Sequence, residues 1–256
     1  MTILNTRPQV LLSSFLNEYK TVFPDIQVDQ ALDYIRTGNH FEKLTIEWYK
    51  NLDAGLLQEA YNVYDDDYYF TDLWNCFVTY SRRYLKDISK PCLPDGLIFT
   101  DRVADVVVDI GCGIGYTTAA LTEIYPEAQV YGINLKNTKQ WTFCERMAAK
   151  HNFTMVETIE GIKNVDVLFA SEYFEHILEP ISHLEAIVAE SSPKFMIIGN
   201  AFNTWSIGHF KTYYHRGQEI PQQKISNLFN SRLRNIGYTQ IKTTLFNNKP
   251  NIWERR

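Results

Sequence analysis

The chain is short of cysteine, has no long apolar run and nowhere concentrates positive charge; each shortage removes a class of protein. Four cysteines, Cys76, Cys92, Cys112 and Cys144, stand in 256 residues with no C-x-x-C pair. That spacing argues against a disulfide scaffold or a zinc site and for reduced thiols. No stretch approaches the ~20 apolar residues that span a bilayer, and the first residues lack a charged start followed by an apolar core. A soluble, unexported, cytoplasmic protein with no membrane partner is therefore expected. A net charge of −5, from 25 Lys and Arg against 30 Asp and Glu, gives no broad positive field for duplex nucleic acid. The basic clusters Arg82, Arg83, Lys86 and Arg232, Arg234 read as solvated helix faces. Internal repeats and low-complexity segments are also lacking. The length suits one α/β domain of ~150 residues plus a smaller element.

What is present is concentrated between Val106 and Leu135. Val106, Val107 and Val108 are consecutive β-branched residues, as expected of a parallel strand covered on both faces. Asp109 closes that strand, and Gly111, Gly113 and Gly115 follow at spacing two, letting the backbone turn tightly and approach a ligand. Tyr116 to Tyr125 then reads as a helix stopped by Pro126. The fingerprint is D-x-G-x-G-x-G. A dinucleotide turn would put its third glycine where Tyr116 stands, and no Gly-Lys-Ser/Thr follows to make a phosphate loop.

Further along, Met155 to Glu157 reads as a short third strand, and Val165 to Ala170 as a fourth that runs into S-E-Y-F-E-H. Pro180 suits a helix's first turn, with Ile181, Leu184, Ile187 and Val188 forming its apolar face. Lys194 to Gly199 is a fifth strand, Gln222 to Asn235 a helix ended near Gly237, and Tyr238 to Phe246 and Asn251 to Glu254 are closing strands. Ligands in open α/β sheets bind at the carboxyl ends of the strands, so the glycine turn and the loop Glu172 to His176 should face one pocket. Residues 1–100 show helical spacing at Val10, Leu11, Phe15 and Leu16, at Ala31, Leu32 and Ile35, and from Phe41 to Leu52. In the aromatic-dense segment Tyr61 to Tyr84, the acidic run Asp65 to Asp67 breaks two helices. This region either covers an apolar face of the sheet or caps the pocket and selects substrate.

The glycine turn and its acid resemble motif I of the class I S-adenosylmethionine (SAM) dependent methyltransferases, and the resemblance runs in register from about Val103 to Asn200, then more loosely to the C-terminus. It implies an α/β fold: a seven-stranded, mostly parallel Rossmann-like sheet with helices on both faces over residues 101–256, preceded by the helical region of residues 1–100. It also implies SAM as cofactor. Gly111, Cys112, Gly113 and Gly115 would pass under its methionine part, with Asp109 at its amino end. Asn134 would stand by the ribose with Leu135 next to it, Glu160 or a neighbour would lie near the adenine, and Ser171 and Glu172 would complete the contact. The family usually has Asp or Glu where this chain has Asn134, whose amide oxygen can still accept a bond but carries no charge.

Methyl transfer from a sulfonium needs alignment, and a base where the acceptor is a hydroxyl; His176 and His209 are the candidates. The spacing Glu172-x-x-Glu175-His176 is similar to the metal-binding block of small-RNA 2′-O-methyltransferases and of the O-methyltransferases of ubiquinone biosynthesis. That implies a divalent cation on Glu172, Glu175 and His176, with His209 as a further ligand. The alternative is a Glu-His pair that orients the loop without metal. Asn200, Phe202, Asn203, Trp205, His209 and Tyr213 are candidates for one substrate wall, with Tyr173 and Phe174 opposite; ordinary loop packing is the competing reading for each. The Asn/Asp-Pro-Pro-Tyr of base N-methyltransferases is missing, which disfavours base amino groups. The expected function is SAM-dependent methylation of a small or medium-sized acceptor at oxygen, the partner being a small molecule rather than a nucleic acid. A catalytically silent SAM-fold binding or partner protein, RNA 2′-O-methylation and another SAM-using reaction are the alternatives.

Overall fold

Ahead of the valine run the chain folds as helices, described with the rest by a computed structural model that covers residues 2–256 and every side chain among them except those of residues 70, 72, 73 and 79. The apolar spacings become α1 (Pro8–Val22), α2 (Val28–Thr37) and α3 (Asn39–Asp53). Gly38, at φ +69°, closes α2 in the left-handed conformation that glycine tolerates best, so α3 begins at once. A short α4 (Leu57–Ala60) and a 3-10 turn over Tyr61–Asp65 end at the acidic run. From Tyr69 the chain stays helical through α5 (Tyr69–Cys76), a π-helical turn (Phe77–Ser81) and α6 (Arg82–Ile88).

Arg82, expected on a solvated face, is instead 4% exposed. Its guanidinium donates to the carbonyls of Ile3, Leu4 and Thr6, a use of several fixed donors that lysine lacks. Glu123 holds the same segment from the other side, accepting from the amides of Ile3 at 2.5 Å and Leu4 at 3.0 Å.

The remaining chain supplies β1 (Val106–Ile110), α7 (Tyr116–Ile124), β2 (Gln129–Ile133), α8 (Lys139–His151), β3 (Thr154–Val156), β4 (Val167–Ser171), α9 (Pro180–Ser191) and β5 (Phe195–Gly199). A hairpin of β6 (Thr212–His215) and β7 (Gln218–Pro221) precedes α10 (Gln222–Asn235), β8 (Tyr238–Ile241) and β9 (Asn251–Arg255). The described residues form a seven-stranded sheet in the order β3-β2-β1-β4-β5-β9-β8. β1 to β5 run parallel, and β9 joins β5 antiparallel. Val107 lies between Val130 of β2 and Val167 of β4. Both Val107 and Val108 are fully buried, which is why this strand reads as an unbroken apolar run. Thr138 caps α8 by accepting from the Trp141 amide at 3.1 Å. The hairpin lies between β5 and α10, where no strand was read from the sequence.

The helical region packs on α7 and α8 through aromatics. Phe15 of α1 stacks on Trp74 at 5.3 Å and meets Phe143 and Tyr116 edge-on at 5.7 and 6.2 Å. Tyr116, which breaks the dinucleotide pattern, is 3% exposed and packs on Trp74 and Phe77. No described helix is long and apolar enough to cross a membrane.

Candidate functional site

β1, β2 and β4 end at one edge of the sheet, where a cavity of about 550 Å³ is enclosed by that edge and by residues from α3 to the π-helical turn. Its floor is the glycine turn. Gly111, Gly113 and Gly115 all have positive φ, at +75°, +55° and +84°. The amides of Gly111 and Cys112 both donate to the Ile133 carbonyl, at 3.0 and 3.1 Å. A methyl group on Gly111 would overlap the Tyr173 ring, whereas one on Gly113 would meet nothing within 4 Å. Gly113 thus leaves an open cradle in the cavity wall. Gly115 lies outside the lining: a Cβ there would come 2.7 Å from Cys144 Sγ, so this glycine lets α7 approach α8.

Asp109 lines the floor, 2% exposed, with one carboxylate oxygen accepting from the hydroxyls of Thr117 and Thr118 at 2.7 Å each. Burial raises its pKa to about 6, and the two hydroxyls pull the other way. Asn134 donates to the Gly113 carbonyl at 2.8 Å and to Gln140 Oε1 at 3.3 Å, and its oxygen accepts from the Leu135 amide at 2.8 Å. The amide that replaces the usual acid thus braces the glycine turn and keeps one oxygen lone pair free. Leu135, 74% exposed, lines the cavity, as does Glu157, whereas Glu160 is outside the lining.

The segments after β4 and β5 add a cluster of acids and imidazoles. Glu172 follows β4 directly with φ +51°, a strained conformation for a residue with a side chain. Burial raises its pKa to about 7, partly offset by Lys249. Glu175 is fully buried. Its Oε1 accepts from the Ala201 amide at 2.6 Å, and its Oε2 is buried with no partner. Burial and then the Glu172 charge push its pKa well up. Donor atoms of Glu172, Glu175 and His209 all lie within 4.8 Å of one another. The histidine of this trio is therefore His209 rather than the His176 expected from the sequence.

His176 sits beside that trio, its ring 4.9 Å from the His209 ring and its Nδ1 3.3 Å from the Tyr64 hydroxyl. Burial holds both imidazoles neutral, His176 down to about 3 and His209 to about 4. His209 donates from Nδ1 to the Thr204 carbonyl at 3.0 Å, which leaves a lone pair on Nε2. Its own carbonyl accepts from Trp48 Nε1 at 2.8 Å, tying the loop to α3. Ser171 meets Ser81 of the π-helical turn, hydroxyl to hydroxyl, at 3.0 Å.

The substrate wall read from the sequence lies largely elsewhere. Tyr173 does line the cavity, its hydroxyl 2.7 Å from His183 Nε2. Phe174 is fully buried against Phe229 in the core, and Phe202 packs beside it. Tyr213 is equally buried, its hydroxyl donating to the Glu175 carbonyl at 3.0 Å. Trp205 is 54% exposed and stacks outward on Tyr49, Asn203 is exposed, and Asn200 is outside the lining. The cavity is instead lined by Phe41, Tyr61, Tyr64, Tyr69 and Phe77 of the N-terminal region, with Ser206 and Ile207. The aromatic density of Tyr61 to Tyr84 was the one sequence signal for it.

The residues fit SAM. The open cradle at Gly113 admits a close backbone contact, and a buried acid suits a molecule carrying a sulfonium and an ammonium but no phosphate. No protein-family model matches the sequence. Two trans-aconitate 2-methyltransferases of Rhodopseudomonas palustris, strains BisA53 and BisB18, are 29% and 30% identical over 89 residues. Each match spans 34% of this chain and 34% of the relative. An O-methyltransferase family protein from Burkholderia thailandensis superposes with a TM-score of 0.56 over 84% of this chain and 70% of its own, at 13% identity. With its strand order and its glycine turn, this chain has the fold of the class I SAM-dependent methyltransferases.

Proposed function

We propose that the chain is a SAM-dependent methyltransferase that acts on a small or medium-sized acceptor at oxygen. The observation that carries this reading is one cavity lined both by the glycine turn and by a pair of imidazoles. Bound SAM supplies an electrophilic methyl group. Asp109 and the Gly113 cradle hold its methionine end, and Asn134, braced on the Gly113 carbonyl, offers its remaining lone pair to the ribose. Tyr64 orients His176, and His209, with its Nε2 lone pair, accepts the hydroxyl proton of the acceptor. The N-terminal helices exclude water from the reacting atoms. The relatives are named for trans-aconitate, a tricarboxylate, but no arginine lines the described cavity, so that acceptor is not carried over.

A second reading is favoured by the unpartnered Oε2 of Glu175 beside Glu172 and His209: these three would hold a divalent cation, whose charge lowers the pKa of a hydroxyl bound to it. The test is S-adenosylhomocysteine release from SAM with an acceptor panel, in EDTA and in Mn²⁺. Acceptor-dependent release supports a methyltransferase; cofactor binding without release supports a silent binding protein. Activity indifferent to EDTA removes the cation.

A further inference from the structure

Resting on the methyltransferase reading, we infer that the acceptor is an uncharged, flat hydroxyaromatic compound, selected by a wall that the N-terminal helices build. Two observations meet in the cavity. Aromatic rings close it: Phe41, Tyr61, Tyr64, Tyr69 and Phe77. Tyr61 and Tyr64 lie nearly parallel at 6.1 Å, and Trp48 braces both rings edge-on. Rings held in fixed planes favour a planar guest through offset stacking and edge contacts.

Charge sets the second limit. Among the described residues the only lysine or arginine in the lining is Lys139, and its ammonium is already bound to Asp67 and to the Asp65 carbonyl. Asp65, Asp109, Glu157 and Glu172 line the same space. A carboxylate or phosphate on the acceptor would leave water for a described lining with no uncommitted lysine or arginine and several acids, which discriminates by repulsion as well as by missing contacts. The imidazoles and Tyr64 remain as partners for a neutral hydroxyl.

The test uses the full chain saturated with S-adenosylhomocysteine, in EDTA so that no added cation supplies the missing charge, titrated calorimetrically with 2-naphthol and with 6-hydroxy-2-naphthoate. These probes share a ring and a hydroxyl and differ by one carboxylate. The expected result is that 2-naphthol binds more tightly by roughly tenfold or more. In Gln58→Arg, a substitution at an exposed position on the lining, the naphthoate should gain and the gap narrow. Equal or tighter binding of the naphthoate to the wild type, or binding of neither up to solubility, overturns the inference while cofactor binding stands. A chain that fails to bind S-adenosylhomocysteine in the same cell overturns the methyltransferase reading itself, and the acceptor inference falls with it.

Discussion

Two glycines two residues apart should fail in different ways when each is changed to alanine. At Gly113 an alanine must hold φ near +55°, which costs ~1–2 kcal/mol for a left-handed residue. Nothing in the protein lies within 4 Å of the new methyl, so the stability loss should stay there. That methyl, however, projects from the cavity lining. Affinity for S-adenosylhomocysteine should therefore drop roughly tenfold or more, about 1.4 kcal/mol or beyond. At Gly111 the same backbone cost is joined by overlap with the Tyr173 ring. Overpacking adds ~1–3 kcal/mol, for a stability loss of ~2–5 kcal/mol in all. Urea unfolding gives the stabilities and calorimetric titration the affinities. The reasoning is refuted if Gly113→Ala binds S-adenosylhomocysteine like the wild type, or if the two variants lose equal stability.

Asp109 should impose a pH dependence on binding. Its folded pKa of about 6 lies above the ~3.9 of an unfolded aspartate, so its proton contributes stability that is present below about pH 4 and lost as pH rises through about 6. The ionised form is the one that attracts the cofactor's ammonium. Affinity for S-adenosylhomocysteine should fall as pH drops through about 6, and Asp109→Asn should be weak and flat across that window; a sloping titration of the variant would assign the dependence elsewhere. Phe174→Ala should cost ~3–5 kcal/mol of stability because that ring is core, whereas Trp205→Ala, half exposed, should cost under ~1 kcal/mol and leave methyl transfer unchanged. Comparable activity losses in stable preparations of both would restore the loop as a substrate wall. Tyr64→Phe should slow transfer about tenfold by freeing His176 Nδ1 while cofactor affinity holds; a loss of affinity instead would place Tyr64 at the cofactor.

The parallel sheet was legible because its signals are local. Three consecutive valines mark a strand buried on both faces, the glycine spacing marks the turn, and Pro180 and Gly237 punctuate α9 and α10. The limits of α10, Gln222–Asn235, match those read from the sequence. The cavity lining was legible where it borders that sheet, at Asp109, Gly111, Cys112, Gly113, Asn134, Leu135, Ser171 and Glu172, and at Tyr173, His176 and His209 in the loops that follow. What remained hidden depends on contacts between distant parts of the chain. Tyr64 and His176 are 112 residues apart, and nothing in either segment names the other. Aromatics in a loop look alike whether they face a cavity, as Tyr173 does, or the core, as Phe174 and Tyr213 do. Arg82 is a case of the same kind: only the carbonyls of the N-terminal segment allow its charge to be buried.

The central claim is that the glycine turn still holds the methionine end of SAM although Asn134 replaces the usual acid. Calorimetric titration of the purified chain with S-adenosylhomocysteine tests it most directly. Saturable one-site binding with a dissociation constant of about 1–100 μM, or −5 to −8 kcal/mol, weakened in Asp109→Asn, is the predicted result. A chain that takes up no S-adenosylhomocysteine while fully folded would contradict the account and leave the fold without its cofactor.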